Sequence, residues 1–184
     1  MNYANIKYFD IANGEGVRTS LFVSGCRRHC KGCFNAVTWD FLFGKPFTKE
    51  VEDKIIESLK NENVAGLTLL GGDPFEPENQ RVLINLLRRF KSECPRKNLW
   101  AYSGYTFDED MIPGGQVYTE VTDEMLSYID VLVDGRFELS LKDISLRFRG
   151  SSNQRIIDVQ KSLKEGKTII IDRLMQRENF DKLI

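Results

Sequence analysis

Residues 21–33 read Leu21-Phe-Val-Ser-Gly-Cys26-Arg-Arg-His-Cys30-Lys-Gly-Cys33. The apolar start of this stretch predicts a buried strand, and the glycines beside the first and last cysteines allow the backbone to turn tightly. Three thiols with Cys-x3-Cys-x2-Cys spacing can converge on one metal centre, and thiolates suit iron–sulfur clusters or zinc. The stretch therefore predicts a metal site at the end of a strand.

The number of cysteines bears on the kind of metal. A 4Fe–4S cluster needs one ligand for each iron, so three cysteines leave one iron open to a substrate. Zinc held by the same three cysteines with His29 or Cys94 is the alternative. His29 is adjacent to Cys30, a poor position for both side chains to face one ion, and Cys94 precedes a proline at the end of a predicted helix. The spacing favours an open iron–sulfur cluster and leaves zinc as the second interpretation.

The composition is that of an ordinary globular protein. The 184 residues correspond to about one domain, and the hydrophobic share is 41% beside 29% charged residues. A net charge of −1 and a pI near 6.0 argue against a generally basic nucleic-acid binder. The apolar runs are far shorter than the roughly 20 residues of a membrane span, and the first residues lack a signal-peptide pattern. We therefore expect no membrane association and a reducing, cytoplasmic location.

Apolar runs alternate with amphipathic stretches as far as residue 135. This alternation predicts an α/β fold of mostly parallel βαβ units, arranged as an open sheet or as part of a barrel. In such folds ligands bind where the carboxyl ends of the strands meet. Beyond the strand at 21–23, strands are predicted at 67–70, 99–102 and 129–133, and helices at 49–61, 77–93 and 122–128.

Unusual motifs follow the predicted strands one after another. Residues 24–33, which we call the cysteine loop, follow the first strand; Gly71-Gly-Asp-Pro74 follows the second, Ser103-Gly104 the third and Asp134-Gly135 the fourth. Taken alone, Gly-Gly-Asp-Pro is a weak signal, since a tight turn explains it about as well as a ligand site. Their shared position at strand ends predicts a single site.

The chain beyond Gly150 gives a weaker pattern. Two strands over 155–159 and 168–171, around a turn at Gly166, are preferred to a helix over 158–165. The last dozen residues are rich in charge, and we expect them to fray.

The cysteine loop and Gly71-Gly-Asp-Pro74 together resemble the radical S-adenosylmethionine superfamily. A longer series of motifs resembles its glycyl-radical activases, in particular the activating proteins of anaerobic ribonucleoside-triphosphate reductase. The resemblance implies a partial, open (β/α) barrel of the radical S-adenosylmethionine type over residues 1–154. Residues 155–184 would be a C-terminal extension packed on, or fraying from, the same domain. The further motifs are Asn13-Gly-x-Gly-x-Arg18, Leu21-Phe-Val-Ser-Gly-Cys26, Cys33-Phe-Asn-x-x-Thr-Trp39, Asp130-Val-Leu-Val-Asp-Gly135 and Arg149-Gly-Ser-Ser-Asn-Gln154.

The resemblance also implies which residues bind the cofactors. Cys26, Cys30 and Cys33 would bind three irons of a 4Fe–4S cluster, and S-adenosylmethionine would chelate the fourth through its amino and carboxylate groups. The other implied residues flank the third ligand, receive the methionine end of the cofactor, or line its pocket at later strand ends. In chain order, the implied cofactor-binding residues are Gly32, Cys33, Phe34, Gly71, Gly72, Asp73, Ser103 and Asp134.

The activity implied by the resemblance is radical generation on a protein partner. The reduced cluster would cleave S-adenosylmethionine, and the 5′-deoxyadenosyl radical would take hydrogen from a glycine Cα of the anaerobic (class III) reductase. No catalytic side chain beyond the cluster is implied. A small reductant such as flavodoxin would supply the electron, and the protein is compatible with a homodimer. Two alternatives stay open: another radical enzyme of the superfamily, and a zinc-binding interaction module without catalysis.

Overall fold

The computed structural model describes residues 1–177 and is built on one seven-stranded sheet with the order β3-β1-β2-β4-β5-β6-β7. The four central strands, β2, β4, β5 and β6, run parallel, whereas β1, β3 and β7 pair antiparallel to their neighbours. The sheet is open. The expected α/β fold is confirmed, and its sheet is mixed with a parallel centre. The strands are β1 (Asn2–Asp10), β2 (Arg18–Val23), β3 (Lys45–Pro46), β4 (Gly66–Gly71), β5 (Asn98–Tyr102), β6 (Val131–Asp134) and β7 (Arg155–Asp158).

The helices of the βαβ units lie where the apolar spacing predicts them. The second begins with a proline, whose missing N–H is tolerated in a first turn, and both it and the third match the predicted bounds. Within residues 1–177 no helix has the length and apolar character needed to cross a membrane. The helices are α1 (Lys49–Leu59), α2 (Pro77–Glu93), α3 (Thr122–Tyr128), α4 (Val159–Glu165) and α5 (Asp172–Met175).

The two faces of the sheet bury different clusters, because successive strand residues point to opposite sides. Leu99 and Ala101 of β5 join the large core beneath α1, α2 and α3. Trp100, between them, belongs to a smaller cluster on the other face, together with Leu174 of α5. The C-terminal residues therefore cover part of the face that α1, α2 and α3 leave open.

Two regions differ from the sequence-based prediction. β1 was not among the predicted elements, and it pairs antiparallel with β2 at the side of the parallel core. Beyond Gly150, β7 forms as predicted, but the preferred second strand over 168–171 is wrong, since Ile170 makes only an isolated bridge. The helix weighed as the alternative is present as α4: Asp158 accepts a hydrogen bond from the Lys161 N–H as N-cap, and Gly166 ends the helix with φ of +64°. Residues 178–184 of the tail predicted to fray lie outside the described residues.

Arg18 joins the amino ends of three neighbouring strands. Its fully buried guanidinium donates hydrogen bonds to the Thr68 hydroxyl at 2.6 Å and to the carbonyl oxygens of Leu67, Glu15 and Asn98 at 2.8, 3.0 and 3.3 Å. Burial lowers its pKa to about 10, so the group still carries its charge at neutral pH. These bonds tie the loop before β2 to β4 and β5.

Arg18→Leu should lower the free energy of unfolding by about 3 kcal/mol, because several buried acceptors lose their donor at once. Arg88→Leu is the matched control. Arg88 is half exposed and pairs with Glu124 on the surface, so its loss should cost less than about 1 kcal/mol. Urea denaturation of the metal-free protein measures both. Equal losses for the two variants would contradict the structural role of Arg18.

Candidate iron–sulfur site

A cavity of about 510 Å³ lies at the carboxyl ends of the parallel strands. Phe22, Leu70 and Tyr102, each from the strand face opposite the large core, contribute to its wall. The motifs at the ends of β2, β4 and β5 converge there. From these motifs, the cavity is lined by Cys26, Cys30, Cys33, Gly71, Gly72, Asp73, Ser103 and Gly104.

The cysteine loop is held by the short 3-10 turn that follows it. The N–H groups of Gly25 and Cys26 donate to the carbonyl oxygens of Thr38 and Trp39 at 2.8 and 3.1 Å. Cys26 and Cys30 are buried, whereas the third cysteine is partly exposed. The His29 ring stacks on Trp39, with ring centroids 4.7 Å apart, and does not line the cavity. The loop thus directs three thiols toward the cavity and leaves its histidine outside.

The donor set of this loop fits a cluster. Within the described part of the chain, no three His, Cys, Asp or Glu side chains are arranged to hold a single ion. Thiols that each bind a different iron need not meet at one point, and all three line the same cavity. Burial raises the pKa of Cys26 to about 12, so binding of a metal would have to displace its proton. Cys94 is buried at the end of α2, outside the cavity.

The Gly-Gly-Asp turn packs directly on the cysteine loop. The N–H of Gly72 donates to the carbonyl oxygen of Val23 at 2.7 Å, and the N–H of Asp73 donates to that of Gly25 at 2.8 Å. A Cβ on Gly72 would lie 2.5 Å from the Gly25 oxygen and 2.9 Å from the Thr38 oxygen. The absence of a side chain at this position is therefore required for the two loops to meet.

Asp73 and Ser103 are partners of each other. The fully buried Asp73 carboxylate accepts from the Ser103 hydroxyl at 2.9 and 3.1 Å and from the N–H groups of Gly104 and Phe75 at 2.8 and 2.9 Å. Burial raises the pKa of Asp73 to about 7. The pair joins the ends of β4 and β5, and direct contact of either side chain with a cofactor stays a prediction.

Three further predicted residues occupy different surroundings. Phe34 lines the cavity and is 70% exposed. Gly32 has φ of +76° and packs beneath Leu139. Asp134 is fully buried behind the cavity wall, where it accepts from the N–H of Phe107 at 2.8 Å and pairs with Arg155. A role for Asp134 in cofactor binding stays a prediction, and the structure brings its neighbour in the chain, not Asp134 itself, to the cavity.

The cavity also contains polar residues that were not among the predicted cofactor-binding residues. Buried atoms without a hydrogen-bond partner include the Nε of Arg28, the hydroxyl of Tyr102 and the Nε of Arg149. All three residues line the cavity. Buried polar groups are almost always paired, so these atoms are consistent with a polar ligand. Arg28 lies inside the cysteine loop, and Arg149 is the first residue of the Arg149-Gly-Ser-Ser-Asn-Gln154 motif, so both belong to motifs that carry the family resemblance.

Comparison with known proteins first shows that the chain contains a domain of the 4Fe–4S class. A protein-family model described as "4Fe-4S single cluster domain" matches residues 12–157, which include all three loop cysteines and every strand end at the cavity.

The relatives then define the particular family. The chain is 46% identical over 158 residues to the anaerobic ribonucleoside-triphosphate reductase-activating protein of Pasteurella multocida (strain Pm70), covering 85% of this chain and 96% of the relative. The protein of that name from Escherichia coli (strain K12) is 44% identical over 156 residues, 84% of this chain and 96% of its own. That of Enterobacteria phage T4 is 39% identical over 156 residues, 85% and 93% of the two chains. The chain belongs to the family of anaerobic ribonucleoside-triphosphate reductase-activating proteins.

Proposed function

We propose that this protein activates an anaerobic (class III) ribonucleotide reductase by reductive cleavage of S-adenosylmethionine at a 4Fe–4S cluster. The observation that carries the proposal is the convergence of three cysteines and the Gly-Gly-Asp turn on one open cavity. The match to a 4Fe–4S domain and the names of the relatives support it.

A bound and reduced cluster would supply the electron for cleavage of S-adenosylmethionine, so that hydrogen would be taken from a glycine Cα of the reductase, with methionine and 5′-deoxyadenosine as products. Cys26, Cys30 and Cys33 would hold the cluster and leave one iron open for the amino and carboxylate groups of the substrate. A flavodoxin-like donor would reduce the cluster. The protein's contribution is to bind and orient S-adenosylmethionine and to exclude water from the site.

The cavity offers the groups that such a cofactor needs. Gly71 and Gly72 both line the cavity, where their backbone atoms can contact the methionine end. The unpartnered donors of Arg28 and Arg149 can bond its polar groups, and their positive charges offset the negative charge of the thiolates. Asp73 and Ser103 would act by fixing the two strand ends.

The open sheet suits a protein substrate. We propose that residues 1–154 form a partial barrel of the radical S-adenosylmethionine type, with the cavity on its inner face and 155–184 as an extension. Phe34 and Ile144, 70% and 89% exposed, both line the cavity. Exposed apolar side chains beside a site are typical of a surface that receives another protein.

Ile144→Asp should lower reductase activation about tenfold more than it lowers cleavage of S-adenosylmethionine, because the substitution weakens binding of the reductase. Ile112→Asp is the control, since this isoleucine is 46% exposed and lies outside the cavity wall. Both reactions are measured on the same cluster-loaded samples. A parallel decline of the two reactions in Ile144→Asp would contradict a docking role.

Cofactor cleavage itself is tested without the partner. Protein reconstituted anaerobically with iron and sulfide is reduced with dithionite, given S-adenosylmethionine and assayed for 5′-deoxyadenosine by chromatography. We expect 5′-deoxyadenosine and methionine in equal amounts. A protein that binds zinc in place of iron and forms no 5′-deoxyadenosine would favour the interaction module instead.

A further inference from the structure

The chain continues beyond the 12–157 span of the family model into a segment that returns to the cavity side of the sheet. We call residues 169–177 the C-terminal strap. The N–H of Ile171 donates to the carbonyl oxygen of Ile156 at 2.8 Å, and Leu174 is fully buried. Leu174 packs in the small cluster against which Tyr102 and Phe148 also pack. Since Tyr102 and Phe148 line the cavity as well, the strap lies directly behind its floor.

The middle of the strap holds the loop before β2. The Arg173 guanidinium makes two hydrogen bonds to the Glu15 carboxylate, at 2.5 and 2.7 Å. This pairing lowers the pKa of Glu15. Glu15 belongs to the loop of residues 11–17, which places Asn13 in the cavity wall. The strap therefore fixes one wall of the cavity through a charge pair.

The same strap also holds the opposite loop, residues 142–150. The Arg149 guanidinium donates to the carbonyl oxygen of Met175 at 2.5 Å. Arg177 pairs with Asp143 at 3.1 Å and forms a backbone bridge with Leu146. Asp143, Leu146 and Arg149 all line the cavity. Two loops distant in sequence are thus tied to one nine-residue segment.

We propose that the C-terminal strap closes the floor of the cavity and positions Asn13 and Arg149, through Glu15 and the Met175 carbonyl, for the molecule that binds there. Arg173 is then a positioning residue, 158 positions away from its partner in the chain. The identity of the bound molecule as S-adenosylmethionine rests on the proposed function. The proposal that the strap fixes the two loops is independent of that function, because it follows from contacts within the chain alone.

The first test releases the anchor of the strap. Leu174→Asp places a charge in the small cluster, and Leu163→Asp, on a side chain of α4 that is 45% exposed, is the matched control. Amide hydrogen exchange is measured on the metal-free proteins. We expect exchange in residues 11–17 and 142–150 to accelerate about tenfold or more in Leu174→Asp and to stay unchanged in the control. Unchanged exchange in both variants would overturn the proposal.

The second test leaves the core intact and reverses the charge pair. Arg173→Glu faces Glu15 with a like charge, whereas the double variant Glu15→Arg/Arg173→Glu restores an opposite pair. With cluster-loaded protein, KM for S-adenosylmethionine should rise about threefold in the single variant with little change in kcat, and return in the double variant. Because Arg173 is 63% exposed, this arm remains decisive if Leu174→Asp does not fold.

The outcomes separate the two proposals. Faster exchange with an unchanged KM would overturn positioning of the cofactor. A raised KM that the double variant does not restore would overturn the Glu15–Arg173 link. If the wild type itself does not bind S-adenosylmethionine, the proposed function fails, and the exchange experiment still decides whether the strap fixes the cavity.

Discussion

Cys30→Ala should abolish cluster assembly and lower reductase activation by more than about 100-fold. Each iron of the cluster needs its own ligand, and the protein offers only three cysteines at the cavity. Loss of an outer-shell partner of a metal site already costs 10–100-fold, so loss of a direct ligand should exceed that range. Iron content, visible absorbance and activation of the reductase are measured after anaerobic reconstitution.

Cys94→Ala is the matched control for the cluster. Cys94 is equally a buried thiol, but it lies at the end of α2, outside the cavity. This variant should keep its iron and its activity and lose about 1 kcal/mol of the free energy of unfolding from the missing buried group. Full iron retention in Cys30→Ala, or loss of iron in Cys94→Ala, would overturn the assignment of the ligands.

Gly72→Ala should have the second largest effect. The backbone of Gly72 lies outside the left-handed region, so an alanine there is unstrained and the conflict is purely one of space. Its Cβ would meet the backbone oxygens of Gly25 and Thr38 at 2.5 and 2.9 Å, and neither can move without displacing the cysteine loop. We expect a loss of about 2 kcal/mol in the free energy of unfolding and about 100-fold in cofactor cleavage.

Gly104→Ala provides the comparison for this substitution. Gly104 lines the same cavity and also has an ordinary φ, but its added Cβ would meet the Arg28 side chain, 3.0 Å away at Cγ, which can shift. Its stability and cleavage rate should stay within a few-fold of wild type, as judged by urea denaturation and 5′-deoxyadenosine formation. A Gly72→Ala protein as active as Gly104→Ala would show that the two loops need not meet as described.

The parallel core of the fold could be predicted from sequence because its signals are local. Apolar runs at β4, β5 and β6 and the amphipathic spacing of α1 and α2 each lie within one element. The convergence of the cysteine loop with Gly71, Gly72 and Ser103 followed from the topology, since the ends of parallel strands share an edge. These predictions needed no knowledge of side-chain contacts.

The elements that sequence reasoning missed or ranked second have different physical causes. β1 is a strand because it pairs with β2, and its own residues are mostly half-buried or exposed, without a clear pattern. Two strands over 155–159 and 168–171, around a turn at Gly166, were preferred to the helix α4, whereas the caps at Asp158 and Gly166 stabilise the helix. Caps are a stronger local signal than a short apolar run.

For the candidate site, too, some features could be predicted from sequence and others could not. It was predictable that the end of β5 would contribute a residue to the site. The sequence does not reveal that the Asp73 carboxylate accepts a hydrogen bond from the Ser103 hydroxyl. Nor does it reveal that Arg155 of β7 pairs with the buried Asp134. Arg28 and Arg149 both lie in recognised motifs, but the sequence does not reveal that their side chains line the cavity. Their unpartnered atoms become visible only once the chain is folded.

The central claim is that this protein places a radical on a glycine of its partner. The most direct measurement is electron-spin resonance of the anaerobic reductase after incubation with the cluster-loaded protein, dithionite and S-adenosylmethionine, with Cys30→Ala in parallel. We expect a glycyl-radical signal on the reductase with the wild-type protein and none with Cys30→Ala. Formation of 5′-deoxyadenosine without any radical on the reductase would contradict the claim and direct the search to another substrate.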